Sequence, residues 1–487
     1  MNQNTANIRT TSHGTNGLSR ESLYDLRGLF RGTLILYVIL VYIFYPVFHL
    51  MATNTPHSLY QYLTQGFLSG QSNLLVSPPA ELLNLPDPYE PNQNTGIRLH
   101  DASLYKGKYY LYFGPLPVVV FYMPFKWLTG FYPSDGFAAV FFITLGFIAN
   151  FSLLLKIKAK YFPRVSELQV ILAGLLVGFA NGIPFLLARP QVYEVAISSA
   201  FCFMSVALFF LYNVFDKQYR TNDILLFSLC LSLSVAGRPH FALVCFIIIP
   251  ALLIYLLRYT PENKRLTRVA ALLVPAASLG IILGLYNYVR FESIFDFGNR
   301  WELSRTNMKA LYAEVLHINN IPRNIKLGFY YNFLQPYVVS FKPFMISLPY
   351  HSGIVPIDKN YYIEAMAGVL TTSPFIVFIL ALPQLIRDSF KKGTQDNPLR
   401  WFLLFALLVP CTIIVFLLMI PIANQRYEVD FLPYLVMLSI ITFWLLDDYS
   451  PQSNWFKVTK MLFIMAGIVS IYVGLNFSLA YWLWRVH

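Results

Sequence analysis

Long uncharged apolar runs alternate along this chain with short gaps, and every second gap carries a cluster of basic residues. Runs close to the roughly 20 residues that cross a bilayer fall at Gly32–Leu50, Gly136–Leu155, Leu168–Ala188, Val195–Phe215, Val269–Val289, Ala365–Ile386, Trp401–Ile420 and Met461–Trp484. Shorter runs at Ile224–Gly237, Phe241–Leu257 and Phe431–Leu446 bring the total to eleven. The pattern predicts an all-α integral membrane protein with about 11 transmembrane helices, two long outer loops and a juxtamembrane or re-entrant segment.

Composition narrows the class further. At 56% hydrophobic and 12% charged residues, the chain is unlike a soluble domain of ordinary make-up. Its net charge of +12 comes from Lys and Arg spread along the edges of the runs, so nucleic-acid binding gives way to the positive-inside rule. Cys202, Cys230, Cys245 and Cys411 all lie inside expected spans and read as small apolar packers.

With the N-terminus in the cytoplasm, Arg27 and Arg31 sit beside the first span on the cytoplasmic side. The clusters Lys156–Arg164, Lys217–Arg220, Arg258–Arg268, Arg387–Arg400 and Lys457–Lys460 then fall on the same side. This threading requires that Tyr110–Phe125 does not cross, and Gly114, Pro115, Pro117 and Pro124 interrupt a regular helix there. The alternative is a twelfth span. Ile224–Gly237 and Phe241–Leu257 are two crossings or one hairpin turning at Arg238, with the same topology either way. Residues 1–27 are polar and lack a signal-peptide core, so they read as a disordered cytoplasmic tail ahead of a membrane domain over 28–487. No inverted repeat of the transporter kind stands out.

Two outer loops, 51–135 and 290–364, exceed what a connection needs. The first holds an expected interfacial helix around Ser58–Leu68, a proline-rich turn over Leu85–Pro91, and a hairpin with its tip at Lys106-Gly107-Lys108, after which Tyr109 to Tyr112 enter the membrane surface. Short outer gaps carry Arg189, Arg238 and Arg426. Arginine at a membrane edge needs an anionic partner. A lipid phosphate matches the guanidinium fork, and pairing of Arg189 with Glu194, or of Arg426 with Glu428 or Asp430, is the structural alternative.

Outer acids include Glu81, Asp87, Glu90, Asp101, Asp135, Glu194, Glu292, Asp296 and Glu302. Asp101 stands just before the stretch that returns to the membrane, where a carboxylate can take a proton from an acceptor hydroxyl; capping, or pairing with Arg98 or Lys106, is its structural alternative. Asp87, between prolines, is the second candidate and has an ordinary turn role open to it. Tyr109, Tyr112 and Trp301 are candidates to stack on a sugar, although interfacial belts favour the same residue types. His100, His240, His317 and His351 lack metal-site spacing, and the chain has no phosphate-binding glycine loop, serine elbow or CxxC pair.

The segments Arg98–Pro117, Ala188–Glu194, Arg290–Leu303 and Arg426–Pro433 resemble those of GT-C-type membrane glycosyltransferases, a group that includes protein O-mannosyltransferases and the lipid A aminoarabinose transferase. The resemblance covers most of residues 32–446. It implies transfer of a sugar from a polyprenyl-phosphate carrier to an envelope lipid, glycan or protein acceptor outside the cytoplasm, usually with inversion. Asp101 would then act as base, and the arginines would steady the departing phosphate. Some relatives hold a divalent cation, for which Glu194 or Asp87 would serve here. One departure is that no acid occurs between Gly32 and Ala80, whereas several relatives place theirs soon after the first span.

The resulting expectation is a multi-pass enzyme of a bacterial inner membrane. A transporter or flippase of a lipid-linked glycan is the alternative, disfavoured by the scarcity of charge within the spans. A non-catalytic partner of envelope machinery is the third reading.

Overall fold

The computed structural model describes residues 20–52, 58–315, 318–341, 344–349, 354, 361–391, 397–449 and 454–486. His317, His351 and residues 1–19 of the expected tail lie outside the described residues, and the first helix begins at Arg20, within the stretch read as tail.

Every apolar run falls on helical structure. Among the described residues, seven helices are long and apolar enough to cross a membrane: Arg27–Phe48, Asp135–Tyr161, Val192–Asp216, Pro239–Tyr259, Glu262–Phe291, Pro398–Met419 and Lys457–Leu479. The other four runs make shorter or broken helices. Thr221–Gly237 and Leu432–Tyr449 are continuous. The run Leu168–Ala188 divides into Glu167–Phe179 and Ile183–Ala188 around Asn181 and Gly182. There the Asn181 side chain caps the new helix by accepting from the Ile183 amide at 3.1 Å, and Gly182 takes φ +77°, which costs a glycine little. Ala365–Ile386 is likewise broken, into Val369–Thr372, a 3₁₀ segment Pro374–Ala381 and Leu382–Lys391. The two breaks meet where Ser373 Oγ donates to the Ala180 carbonyl at 3.0 Å. Arg238 ends one helix and precedes another, so the neighbouring runs are two helices.

The helical stretch Val118–Thr129 rises roughly 18 Å, well short of a ~30 Å hydrocarbon core. Its length fits a segment that does not cross.

Charged gaps sort to two ends of the bundle. At one end Arg31 Nη2 pairs with Glu167 at 2.8 Å, Lys156 and Lys160 meet Asp216, and Gln169 donates to Asp447 at 3.1 Å. These contacts join the gaps that charge patterning put on one side. The two outer loops and the gaps holding Arg189, Arg238 and Arg426 gather at the other end.

There the first loop builds a core of its own. Leu59–Leu68 forms the expected helix with Ser58 as its N-cap, the Gln61 amide donating to Ser58 Oγ at 3.1 Å. Strands β1 (Ser103–Tyr105) and β2 (Lys108–Tyr110) pair antiparallel across Lys106 and Gly107, whose φ values of +47° and +73° are those of a tight hairpin turn. Tyr60, Leu63, Leu104 and Tyr109 are buried beneath this hairpin, against Val192 and Val195 at the start of a spanning helix. Tyr109 is thus an interior residue of the loop rather than one inserted into the membrane surface.

Candidate active site

Backbone pairing between the two outer loops creates the site. The Asp101 amide donates to the Leu303 carbonyl at 3.1 Å, the Leu303 amide donates to the Ala102 carbonyl at 2.9 Å, and Ser103 Oγ donates to the Gly298 carbonyl at 2.9 Å. This stitch places Ser103 opposite Glu302. Gly298 adopts φ +94°, and a Cβ there would lie 2.2 Å from the Phe291 ring. Asp101 itself sits at φ +63°, a conformation that aspartate tolerates better than most residues.

Asp101 and Glu302 converge on one hydroxyl. Tyr193 Oη lies 3.1 Å from Asp101 Oδ1 and 3.0 Å from Glu302 Oε1. Asn299 Nδ2 donates to the other Glu302 oxygen at 3.1 Å, and His100 Nε2 is 3.4 Å from Asp101 Oδ1. Glu302 is only 4% exposed, whereas the Asp101 side chain keeps 16% of its surface open. Burial, reinforced by the charge of Asp101, pushes the Glu302 carboxyl up to about 8. Tyr112 lies beside Glu302 and Tyr193, and burial holds its hydroxyl well above the usual range.

The guanidinium of Arg426 covers the Tyr193 ring, 4.3 Å from its centroid. Its Nη1 lies 3.3 Å from Glu194, and its Nη2 reaches both Glu364 oxygens at 2.9 Å. A short parallel pairing of Tyr362–Ile363 with Ile422–Ala423 delivers Glu364, and Asn424 caps the turn that carries Arg426 by accepting from its amide at 2.9 Å. Burial opposes the charge on Arg426, yet Glu194 and Glu364 raise its pKa above the ordinary value.

On the far side of Tyr427, Arg238 donates to Asp430 at 2.7 Å while its guanidinium stands 5.1 Å from the Tyr427 ring. Burial pushes the Asp430 carboxyl up, but Arg238 and His240 outweigh it and hold the group below its ordinary pKa. Arg238 Nε is buried and has no hydrogen-bond partner among the described residues.

The structure therefore gathers Asp101, Tyr112, Glu194, Arg238 and Arg426 around Tyr193 and Tyr427. Arg189 is at the margin, where its Nε donates to Gln191 at 3.1 Å and its charge acts on Glu194. The pairings differ from those sequence neighbourhood suggests: Arg426 takes Glu194 and Glu364, and Asp430 goes to Arg238. Glu194 also accepts from the Gln191 amide at 3.0 Å, so both of its oxygens are engaged. Among the described residues no group of three metal-binding side chains converges.

Three candidates stand elsewhere. Asp87 accepts from the Tyr89 amide at 3.0 Å, a local turn, and from Asn307 at 3.4 Å. The Tyr109 hydroxyl is turned inward, accepting from the Leu99 amide at 3.3 Å. Trp301 packs with Tyr89 and Tyr105, its centroid 5.8 and 5.1 Å from theirs, and Lys309 Nζ lies 5.6 Å from the ring. Sequence reasoning named Glu302 only as one available acid and passed over Tyr193 and Glu364. The position of Tyr193 next to Glu194, at the mouth of a span, is the one signal that pointed toward it.

No protein-family model matches the chain, and no curated protein matches it. Among solved structures, ArnT from Cupriavidus metallidurans bound to undecaprenyl phosphate is similar at a TM-score of 0.43 and 13% identity, over 89% of this chain and 63% of that one. The Archaeoglobus fulgidus oligosaccharyltransferase, tethered to an acceptor peptide containing the NVT sequon, is similar at a TM-score of 0.43 and 12% identity, over 91% of this chain and 55% of that one. This chain thus spans less than two thirds of either.

Proposed function

We propose that this chain is a membrane glycosyltransferase that moves a sugar from a polyprenyl-phosphate carrier to a hydroxyl of a cell-envelope acceptor on the non-cytoplasmic face of a bacterial inner membrane, with its N-terminus in the cytoplasm. The observation that carries this reading is the placement of a partly open carboxylate, Asp101, one tyrosine away from the buried guanidinium of Arg426 at the helix ends. Glycosyl transfer to a hydroxyl needs both parts. The acceptor O–H bond breaks with its proton passing to Asp101, the new C–O bond forms at the anomeric carbon, and the bond to phosphate breaks with the electron pair leaving on the phosphate oxygen.

Arginines suit that departing charge. Arg426 is held from one side by the buried Glu194 and from the other by Glu364, whose side chain is 34% exposed. A lipid phosphate would replace the more accessible carboxylate at the same fork. Arg238 supports the reading with its unpartnered Nε, and Arg189 adds charge at the edge. Trp301, with Tyr89 and Tyr105, offers an aromatic face to a sugar. Asp87 is too engaged in its turn to share the role of Asp101.

Translocation of a lipid-linked glycan is the second reading. The two broken helices that meet at Ser373 and Ala180 favour it, since interrupted spans often line transport sites. Mass analysis of envelope glycans separates the two. In a deletion strain one sugar should be missing from an acceptor, and complementation with Asp101→Asn should leave it missing while the protein inserts at normal level. Restoration by that variant would remove Asp101 as base and favour translocation.

A further inference from the structure

A tyrosine hydroxyl carries one hydrogen, and Tyr193 stands within hydrogen-bond distance of two carboxylates. It can donate to only one of them. If both acids were ionised, the second oxygen would face the tyrosine oxygen with no proton between them, and two like charges would stand across a single hydroxyl. One more proton satisfies the whole set. We infer that Glu302 holds this proton and donates it to Tyr193 Oη, that Tyr193 in turn donates to Asp101 Oδ1, and that Asp101 is thereby the ionised member of the pair.

Burial decides which acid is neutral. Glu302 is the more enclosed of the two, and its second oxygen already accepts from Asn299. Asp101 keeps an open side and has His100 beside it. The other groups facing Glu302 are Tyr112, Tyr193, Tyr312 and Tyr427, with Arg426 the cation. Among the described residues, Arg426 is the one cation whose charge acts on Glu302, and His100 stands beside Asp101.

The inference rests on the reading of Asp101 as base, and it gives Glu302 and Tyr193 the part of positioning residues. An ionised Glu302 would set a second negative charge across the Tyr193 hydroxyl from Asp101. A neutral Glu302 removes that repulsion and leaves Asp101 Oδ1 as the oxygen that accepts from Tyr193.

Infrared difference spectroscopy of the purified full-length protein, titrated without substrate, tests this directly. The wild type should show a protonated-carboxyl C=O band that disappears with a midpoint near pH 8. Glu302→Gln should lack the band, and Asp101→Asn should move its midpoint to lower pH, because the neighbouring charge is gone. A wild type with no carboxyl titrating above the ordinary glutamate range, or an Asp101→Asn midpoint that stays in place, would overturn the proposal. Should Glu302→Gln fail to fold, the Asp101→Asn shift decides alone. The outcomes separate from those for transfer: the expected titration with an active Asp101→Asn removes Asp101 as base and keeps the proton assignment, while an inactive Asp101→Asn without the titration keeps Asp101 as base and overturns the proton assignment.

Discussion

The bundle carries charge at both ends, but its ends compensate that charge differently. At the end holding Arg31, Lys160 and Asp447, ion pairs are partly exposed, with Arg31 and Glu167 retaining 29% and 26% of their side-chain surface. Such pairs add little, because water already solvates both partners. At the other end Arg426 and Glu194 retain 11% and 3%, and Arg238 and Asp430 retain 9% and 1%. Burying charges that deeply is unfavourable unless each is matched. Acids nevertheless outnumber arginines there, and among the described residues Asp101 and Glu302 are the carboxylates of the site in no ion pair with an arginine. A fold seeking only stability has no use for that surplus, whereas the proposed transfer would use it.

Four substitutions would break or sharpen this contrast. Asp101→Asn should lower transfer by about 100- to 10,000-fold, the usual range for a general base, as measured by glycan transfer in membranes. Near-wild-type rates would place the base elsewhere. Arg426→Ala should destabilise the protein by about 3–5 kcal/mol, since it strands the buried Glu194; an unchanged melting profile in detergent would show that the charge is screened by other means. For Gly298→Ala, the positive φ and the Phe291 ring together imply a loss of about 1–3 kcal/mol and weaker joining of the outer loops. Protease sensitivity of those loops would report it. Arg31→Ala, at the opposite end, should cost no more than about 1 kcal/mol, and a larger loss there would erase the asymmetry.

Burial also couples the site to pH. Glu302 binds its proton more tightly in the folded protein than in the unfolded chain, so stability should decline as pH rises from the ordinary glutamate range toward about 8 and level off above it. Glu302→Gln should flatten that decline in pH-dependent melting curves.

Much of the architecture was legible in the sequence because bilayer crossing imposes a length and a composition. All eleven runs fall on helical structure, and the hairpin at Lys106 and Gly107 and the helix around Ser58–Leu68 were readable from local sequence. The two broken helices were hidden because the interrupting residues, such as Asn181 and Ser373, carry no charge and leave an apolar run intact. Partner choice was the least legible part. Arg426 finds Glu194 across 232 residues and Glu364 across 62, while the carboxylates nearest in sequence point elsewhere. Asp101 was chosen for its place before the returning segment, and the structure sets it beside Tyr193. Its link to Glu302 depends on backbone pairing between loops, which no spacing rule encodes.

That pairing has a consequence for biogenesis. Asp101 emerges from the ribosome 92 residues before Tyr193, and Glu302 follows Tyr193 by a further 109. During that interval the first long loop must wait with its half of the seam unmatched, and in the proposed orientation it waits across the membrane. Synthesis halted before Leu303 should therefore yield an inserted but open intermediate, and that unmatched loop would be the region where chaperones or quality-control proteases first engage the nascent chain.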